Sequence, residues 1–236
     1  MIRTVIFDFD GTLALGRGPI DAYVREVVAI VGDSTLATAV GQSLAAFEAG
    51  RSDAIDAYDA VRQAAAARGI AAEVLERGYL RSRKSLGTPR ALVEAPDGLV
   101  ALLERLSGAA DLVLATNAPH TRLAEALESL GVGIHLAAIH ASVGKPDGMR
   151  ALVADALTRG PVLSVGDIYD NDLEPAAALG ADTALVGPAW MSFAAHTTMA
   201  AATLPELYPL IEAWAGITTP APPVPPGTGS THERHH

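Results

Sequence analysis

Residues 4–13 read TVIFDFDGTL, and this stretch sets the expectation for the rest of the chain. The apolar run from Thr4 to Asp8 contains β-branched residues and predicts a short buried strand. It ends in two carboxylates, Asp8 and Asp10, which Gly11 follows directly. Two like charges this close repel each other and lose hydration when buried, so a divalent cation or strong hydrogen-bond donors would have to offset that cost. The alternative is an exposed acidic turn, in which Asp and Gly serve turn geometry alone.

The composition narrows the possible functions before any motif is considered. The chain has 236 residues, of which 50% are hydrophobic, and this suits one medium domain or a core with a smaller insert. Its net charge of −10 argues against a general nucleic-acid binder and against attraction to an anionic membrane surface. It has no cysteine, no basic leader followed by an apolar segment, and no apolar run near the roughly 20 residues of a membrane helix. We therefore expect a cytoplasmic protein that binds neither nucleic acid nor membrane.

A helical block follows the first strand. Four alanine-rich segments have apolar residues near helical spacing, and Gly, Ser and Asp residues that cap or break helices separate them. The predicted helices are Ile20–Val31, Thr35–Ala49, Ala54–Arg68 and Ala71–Lys84. The block is predicted to be an insertion above the carboxyl ends of the strands, where ligands bind in open α/β sheets.

Beyond this block, strands and helices alternate, which predicts parallel βαβ units with helices on both faces of the sheet. The predicted strands are Asp111–Thr116, Leu136–His140, Val162–Gly166 and, as the last one, Thr183–Val186. The predicted helices are Gly98–Ser107, Thr121–Leu130, Asp147–Leu157, Glu174–Leu179 and Leu204–Ala215. The expected fold is α/β, with a Rossmann-like parallel sheet core and an inserted α-helical cap domain. The expected boundaries are 1–14 and 90–217 for the core, 15–89 for the cap, and 218–236 for a proline-rich disordered tail.

Four polar segments fall at or near the ends of predicted strands, and those ends meet at one edge of a parallel sheet. The segments are Asp8-Phe9-Asp10-Gly11-Thr12, Ala115-Thr116-Asn117, Gly144-Lys145-Pro146 and Gly166-Asp167-Ile168-Tyr169-Asp170-Asn171-Asp172. Such a set suits phosphoryl transfer, because carboxylate oxygens bind Mg²⁺ while a lysine and backbone N–H groups neutralise phosphoryl oxygens. One carboxylate can attack phosphorus, and a second can protonate the leaving oxygen and later activate water. Taken singly, each segment could instead be a strand end, a surface lysine or a helix cap.

Together the four segments resemble, in order, the motifs of the haloacid dehalogenase superfamily, and within it the phosphatases whose helical cap is inserted after the first strand. Residues 8–12 match the DxDGT motif in full. Thr116 ends the strand of the second motif, and Lys145 stands in the GKP form of the third. Asp167 opens the fourth motif, GD followed by another acid. The resemblance extends over residues 4 to about 186.

The resemblance implies the roles of the acidic residues. Asp8 is the nucleophile and a Mg²⁺ ligand, and Asp10 is the general acid and base that also offers its backbone carbonyl to the metal. Asp167 is a further metal ligand. The second acid of the fourth motif is Asp172 or Asp170. The family spacing favours Asp172, which binds the metal directly or through water.

The resemblance also implies how the phosphoryl group is held. Thr116 and Lys145 bind it, with help from the backbone N–H groups of Gly11 and Asn117, and Lys145 takes part in catalysis. In the last cap helix, helical spacing puts Arg77, Arg81 and roughly Lys84 on one face. That face either holds a second anionic group of the substrate or is simply solvated.

The expected function is therefore Mg²⁺-dependent hydrolysis of a small phosphorylated metabolite, a phosphomonoester, through an aspartyl-phosphate. Dehalogenation is disfavoured, since dehalogenating members of the family lack an acid at the position of Asp10. Two alternatives stay open: a phosphomutase of the same family and a catalytically idle binding protein with the same fold. A P-loop nucleotide enzyme is disfavoured because the sequence contains no GxxxxGK[ST] stretch. The sequence does not indicate the substrate or the oligomeric state.

Overall fold

Strand β1 (Arg3–Phe7) lies in the middle of the sheet. The computed structural model describes residues 1–217, so the predicted tail, 218–236, lies outside the described residues. Within residues 1–217, six parallel strands form one sheet in the order β3-β2-β1-β4-β5-β6. The other strands are β2 (Ala110–Ala115), β3 (Ala138–His140), β4 (Val162–Gly166), β5 (Asp182–Leu185) and β6 (Met199–Ala200). The predicted α/β fold with a Rossmann-like parallel sheet is confirmed.

Helices cover both faces of this sheet, which explains why β1 is a continuous apolar run rather than an alternating one. Val5 and Phe7 pack into one buried cluster, whereas Ile6 packs into another on the opposite face. The helices are α1 (Gly18–Val31), α2 (Thr35–Glu48), α3 (Ala57–Ala66), α4 (Ala72–Arg83), α5 (Leu99–Ser107), α6 (Leu123–Ser129), α7 (Asp147–Leu157), α8 (Glu174–Ala177), α9 (Trp190–Phe193) and α10 (Leu204–Ala215). None of the helices in the described part of the chain combines the length and apolarity needed to cross a membrane.

The register of the central strands fixes where the polar segments end up. Phe7, the last residue of β1, pairs with Leu114 of β2 on one side and with Val165 of β4 on the other. The carboxyl ends of these three strands are therefore level. Whatever follows them in sequence emerges at the same edge of the sheet.

Helices α1–α4 form the insertion after β1 and have an apolar cluster of their own. The two connections to the sheet domain run side by side. The Leu15 N–H donates to the Glu94 carbonyl at 2.8 Å, and the Glu94 N–H donates back to the Leu15 carbonyl at 3.0 Å. This pair of hydrogen bonds joins the entry and exit of the insertion just beside the end of β1.

Close packing of α1 against α4 depends on Gly78, because a Cβ at this position would collide with Val27. We expect Gly78→Ala to lower the free energy of unfolding by about 1–2 kcal/mol, since overpacking outweighs the gain in helix propensity. Chemical denaturation measures this change. Gly41→Ala is the matched control: it lies in α2 with open space around it, and should stabilise by about 0.5–1 kcal/mol. Equal effects of the two substitutions would contradict the packing described here.

Two predictions about the strands need correction. The strand near Thr183 is not the last one, because β6 pairs beside β5. A strand of two residues is too short to leave an alternating pattern in the sequence, which is why it was not predicted. The strand predicted over Leu136–His140 begins two residues later, at Ala138, after a 3₁₀ turn over Gly133–His135.

Candidate functional site

Three polar side chains emerge at the level strand ends. Asp8, Thr116 and Asp167 are the first residues after β1, β2 and β4. Hydrogen bonds to neighbouring strands hold the backbones of Asp8 and Thr116. The Asp8 N–H donates to the Val165 carbonyl at 2.9 Å, and the Thr116 N–H donates to the His140 carbonyl at 2.9 Å. The side chains therefore start from positions that loop motion does not change.

Lys145 binds two carboxylates at this edge. Its Nζ lies 2.5 Å from Asp8 Oδ1 and 2.6 Å from Asp172 Oδ1, and its side chain is only 2% exposed. Burial opposes the charge on Lys145, but the charges of Asp8 and Asp172 outweigh burial and raise the pKa of the ammonium. Burial raises the pKa of Asp8 to about 7, although Lys145 opposes this shift. A cation shared by two buried acids keeps its charge and keeps both acids in place.

Asp167 completes a group of three acids. One carboxylate oxygen each from Asp8, Asp167 and Asp172 lies within 4.8 Å of the other two. Asp167 Oδ1 is buried and has no hydrogen-bond partner among residues 1–217, and burial, together with the charges of Asp8 and Asp172, raises the pKa of Asp167 well above its usual range. An orphaned carboxylate oxygen beside two other acids fits a hard divalent cation such as Mg²⁺, which takes oxygen ligands.

The backbone of Gly11 permits this grouping. Gly11 has a φ of +87°, and a Cβ there would overlap the Asp167 carboxylate. The resemblance had implied that the Gly11 N–H binds the phosphoryl group, but in the structure this N–H already has an acceptor. It donates to the Ala14 carbonyl at 2.9 Å, which closes the turn after β1. The N–H groups of Phe9 and Asp10, by contrast, have no acceptor among the described residues.

The fourth motif places Asp172, not Asp170, at the sheet edge. A short π-helical turn over Tyr169–Leu173 follows β4. It directs Asp172 inward, where the side chain is buried and accepts from the Ile168 N–H at 3.1 Å through Oδ2. Asp170 is exposed. Both oxygens of Asp172 thus already have partners, since Oδ1 contacts Lys145.

Thr116 and Asn117 lie beside Lys145. Thr116 is buried and its Oγ1 accepts from the Ala118 N–H at 3.0 Å, which leaves its hydroxyl hydrogen available. The Asn117 side chain accepts from the Lys145 N–H at 2.7 Å, so this amide positions the lysine. The Asn117 N–H has no acceptor in the described part of the chain. Thr116, Asn117 and Lys145 all line one cavity with Asp8.

Asp10 stands apart from the three acids and contacts the cap. Arg83, the last residue of α4, lies with its Nη1 3.2 Å from Asp10 Oδ1 and 3.4 Å from Oδ2. The Tyr58 hydroxyl lies 3.5 Å from Asp10 Oδ1 and 3.3 Å from the same Arg83 nitrogen. Arg83 is buried, so the ion pair ties the cap to a candidate catalytic residue.

Arg83 does not belong to the basic face that helical spacing predicts for its neighbours in α4. The face formed by Arg77, Arg81 and Lys84 is exposed. Arg83 lies four residues beyond Tyr79 and eight beyond the buried Leu75, on the inward stripe of α4. An arginine in phase with an apolar stripe is the signal that could have identified it.

Two cavities meet above the carboxylates, and Asp10, Asp56 and Tyr58 belong to both. The smaller one, about 520 Å³, reaches Asp8 and Lys145. The larger one, about 740 Å³, lies between the cap and the loops after β1 and β5, and Asp167 lines it. The catalytic candidates therefore face clefts large enough for a small molecule.

Comparison with known proteins agrees with this arrangement. The sequence profile of the haloacid dehalogenase-like hydrolases matches residues 2–180. A search of curated proteins found no match. The fold is similar to that of YfnB from Bacillus subtilis, a structure with bound magnesium, at 21% identity, a TM-score of 0.61, and coverage of 89% of this chain and 99% of that one.

Two further structures share the fold. One is a HAD phosphatase from Thermococcus onnurineus, at 19% identity and a TM-score of 0.56, with 92% of this chain and 99% of that one covered. The other is a 2-haloacid dehalogenase from Pseudomonas syringae pv. Tomato DC3000, at 17% identity and a TM-score of 0.53, with 91% and 100% covered. At such identities the structures share the fold alone, whereas the profile spans most of the sequence. The chain belongs to the haloacid dehalogenase-like hydrolases.

Proposed function

We propose that the protein is a Mg²⁺-dependent phosphatase of small phosphomonoesters that works through an aspartyl-phosphate on Asp8. The observation that carries this proposal is the pairing of two differently held carboxylates in one cavity. Asp8 lies against Lys145 and the other acids, while Asp10 is held separately by Arg83 and Tyr58. A nucleophile and a distinct acid/base, two residues apart, suit phosphoryl transfer better than carbon–halogen cleavage, which needs no proton on the leaving halide.

The first step transfers the phosphoryl group to the enzyme. The Asp8 carboxylate attacks phosphorus and the bond from phosphorus to the ester oxygen breaks. Asp10, in its protonated form rather than as the ion pair with Arg83, gives that oxygen its proton. Lys145, the Thr116 hydroxyl and the Asn117 N–H hold the phosphoryl oxygens. These donors are fixed before substrate binds, so little reorganisation is needed when charge develops.

The second step returns the enzyme to its starting state. Asp10, now ionised, takes a proton from water, the water oxygen attacks phosphorus, and the bond to Asp8 breaks to release inorganic phosphate. Asp8, Asp167 and the Asp10 carbonyl would hold Mg²⁺, with Asp172 acting through water because both its oxygens are engaged. The ion supplies positive charge that offsets the repulsion between these acids and the phosphoryl group.

Phosphate release from an aryl phosphate tests the proposal. We expect release with Mg²⁺, loss of release with excess chelator, and recovery when Mg²⁺ is restored. Release that persists in chelator would contradict the role of the metal. Conversion of the ester to another phosphate ester without phosphate release would instead indicate a mutase.

Metal binding also has a readout that is independent of turnover. At Mg²⁺ about 100 times its Kd, we expect stabilisation by about 2.7 kcal/mol, or about 5–10 °C in melting temperature. Asp167→Asn should abolish this shift, yet melt no lower than wild type without metal, because it removes a buried carboxylate that repels its neighbours. Asp170→Asn, at an exposed acid nearby, is the control and should keep the shift. An Mg²⁺ shift that survives in Asp167→Asn would exclude Asp167 as a ligand.

A further inference from the structure

We infer that the substrate is a phosphomonoester of an amino alcohol, and that its ammonium group binds between Asp56 and the tyrosines of the cap. This inference rests on the proposed function and specifies its substrate. The observations that support it lie on the cap side of the 520 Å³ cavity, where acidic and aromatic residues outside the four family motifs form the wall.

The cavity has two chemically distinct ends. One end holds the candidate phosphoryl site, with Asp8, Thr116 and Lys145. The other end belongs to the cap and is lined by apolar, aromatic and acidic residues. These residues are Tyr23, Ile55, Asp56, Tyr58, Ala72, Leu75, Glu76 and Tyr79, and the basic Arg62 lines this end as well. An ester whose phosphate lies at the first end must place its alcohol part at the second.

The positive charges near the cap end are already paired. Arg62 Nη2 lies 2.6 Å from Asp59 Oδ1. Arg83 pairs with Asp10 through Nη1 and lines neither cavity, although its Nε and Nη2 have no hydrogen-bond partner among residues 1–217. The basic face predicted from Arg77, Arg81 and Lys84 points to solvent and lines neither cavity. The alcohol part of a substrate therefore meets no unpaired cation among the described residues of this end.

The acids of the cap end are not neutralised in the same way. Asp56 accepts from the Asp59 N–H at 2.5 Å as the N-cap of α3, but has no ion pair in the described part of the chain. Glu76 lines the cavity and likewise has no ion pair among residues 1–217. The adjoining 740 Å³ cavity, which Asp56 also lines, is bordered by Asp10, Glu94, Asp97 and Asp167, and no Lys, Arg or His among residues 1–217 lines it. A second anionic group on the substrate would be repelled here, whereas a cation would be attracted.

The tyrosine rings also favour a cation at this end of the cavity. Tyr23, Tyr58 and Tyr79 form one aromatic cluster, with ring centroids 5.6–5.9 Å apart. Aromatic rings attract ammonium groups, and buried carboxylates beside them strengthen that attraction. Asp56 and Asp10 both line the two cavities, so an amino group a few atoms from the ester oxygen can reach Asp56.

Three esters of matched size test the inference: 2-aminoethyl, 2-hydroxyethyl and carboxymethyl phosphate, which carry a cation, a neutral group and an anion at the same distance from phosphorus. We expect kcat/KM for the aminoethyl ester to exceed that for the carboxymethyl ester by about 10–100-fold, with the hydroxyethyl ester in between. Asp56→Asn should bring the aminoethyl value down to about that of the hydroxyethyl ester. Asn is an equally good N-cap, so the substitution keeps α3.

The controls separate the inference from the proposed function. Asp53→Asn removes an exposed acid that lines neither cavity and should leave the order of the three esters unchanged. Equal or faster turnover of the carboxymethyl ester, an aminoethyl preference that survives Asp56→Asn, or turnover of an aryl phosphate but none of the three would each overturn the inference and leave the phosphatase standing. Absence of Mg²⁺-dependent release from every ester, aryl phosphate included, would overturn the proposed function itself.

Discussion

Asp8→Asn should reduce phosphate release by about 10⁴-fold or more, the scale of losing a nucleophile. The amide has nearly the shape of the carboxylate, but it is uncharged and a poor nucleophile. The variant should fold, since it removes one of three repelling acids whose burial costs stability. Initial rates of phosphate release, with the melting temperature as a check on folding, measure the effect.

Asp170→Asn is the matched control for this experiment. It changes an acid of the same segment as Asp172, but one that is exposed and outside the cavities. Its activity should equal that of wild type. An Asp8→Asn rate within a few-fold of wild type would refute Asp8 as the nucleophile.

Asp10→Asn is expected to slow turnover by about 10²–10⁴-fold, the range for lost acid/base catalysis. The loss should be larger for an alkyl phosphate than for an aryl phosphate, because an alkoxide needs a proton to leave and a phenoxide needs it less. Asn still offers an oxygen to Arg83 and Tyr58, so the contact between cap and core is retained. Substrate binding should be retained.

The comparison of the two esters is the diagnostic part of this test. Single-turnover rates for each ester, in wild type and in Asp10→Asn, give the ratio directly. Equal losses on both esters would mean that Asp10 does not protonate the leaving oxygen. An unchanged rate on both would remove it from the mechanism altogether.

The sequence predicted the parts of the site in which a reactive residue directly follows a strand. Asp8, Thr116 and Asp167 could be brought together in advance because parallel strands end at one edge, and each of these residues directly follows a strand. The choice of Asp172 over Asp170 was left open by the sequence. Its geometry depends on a π-helical turn, which has no sequence period of its own.

Features set by long-range packing were not predicted. Arg83 and Tyr58 meet Asp10 across 73 and 48 residues of sequence, so no local spacing connects them. The same holds for Asp56, which falls inside the predicted helix Ala54–Arg68, whereas in the structure it is the N-cap of α3 and lines both cavities. Within residues 1–217 the N–H groups of Phe9 and Asp10 have no acceptor, whereas that of Gly11 closes the turn after β1. Residue types alone do not specify which N–H makes this hydrogen bond.

The central claim is that Asp8 carries the phosphoryl group, and mass spectrometry tests it most directly. Asp10→Asn should accumulate the intermediate, because it retains the nucleophile but cannot activate water for the second step. After mixing with Mg²⁺ and an aryl phosphate and quenching in acid, we predict that the tryptic peptide of residues 4–17 gains the mass of one phosphoryl group, located on Asp8. The gain should be absent when Asp8→Asn is added to the same variant. Phosphate release by wild type, with no phosphorylated peptide under these conditions or with the group on another residue, would contradict the account.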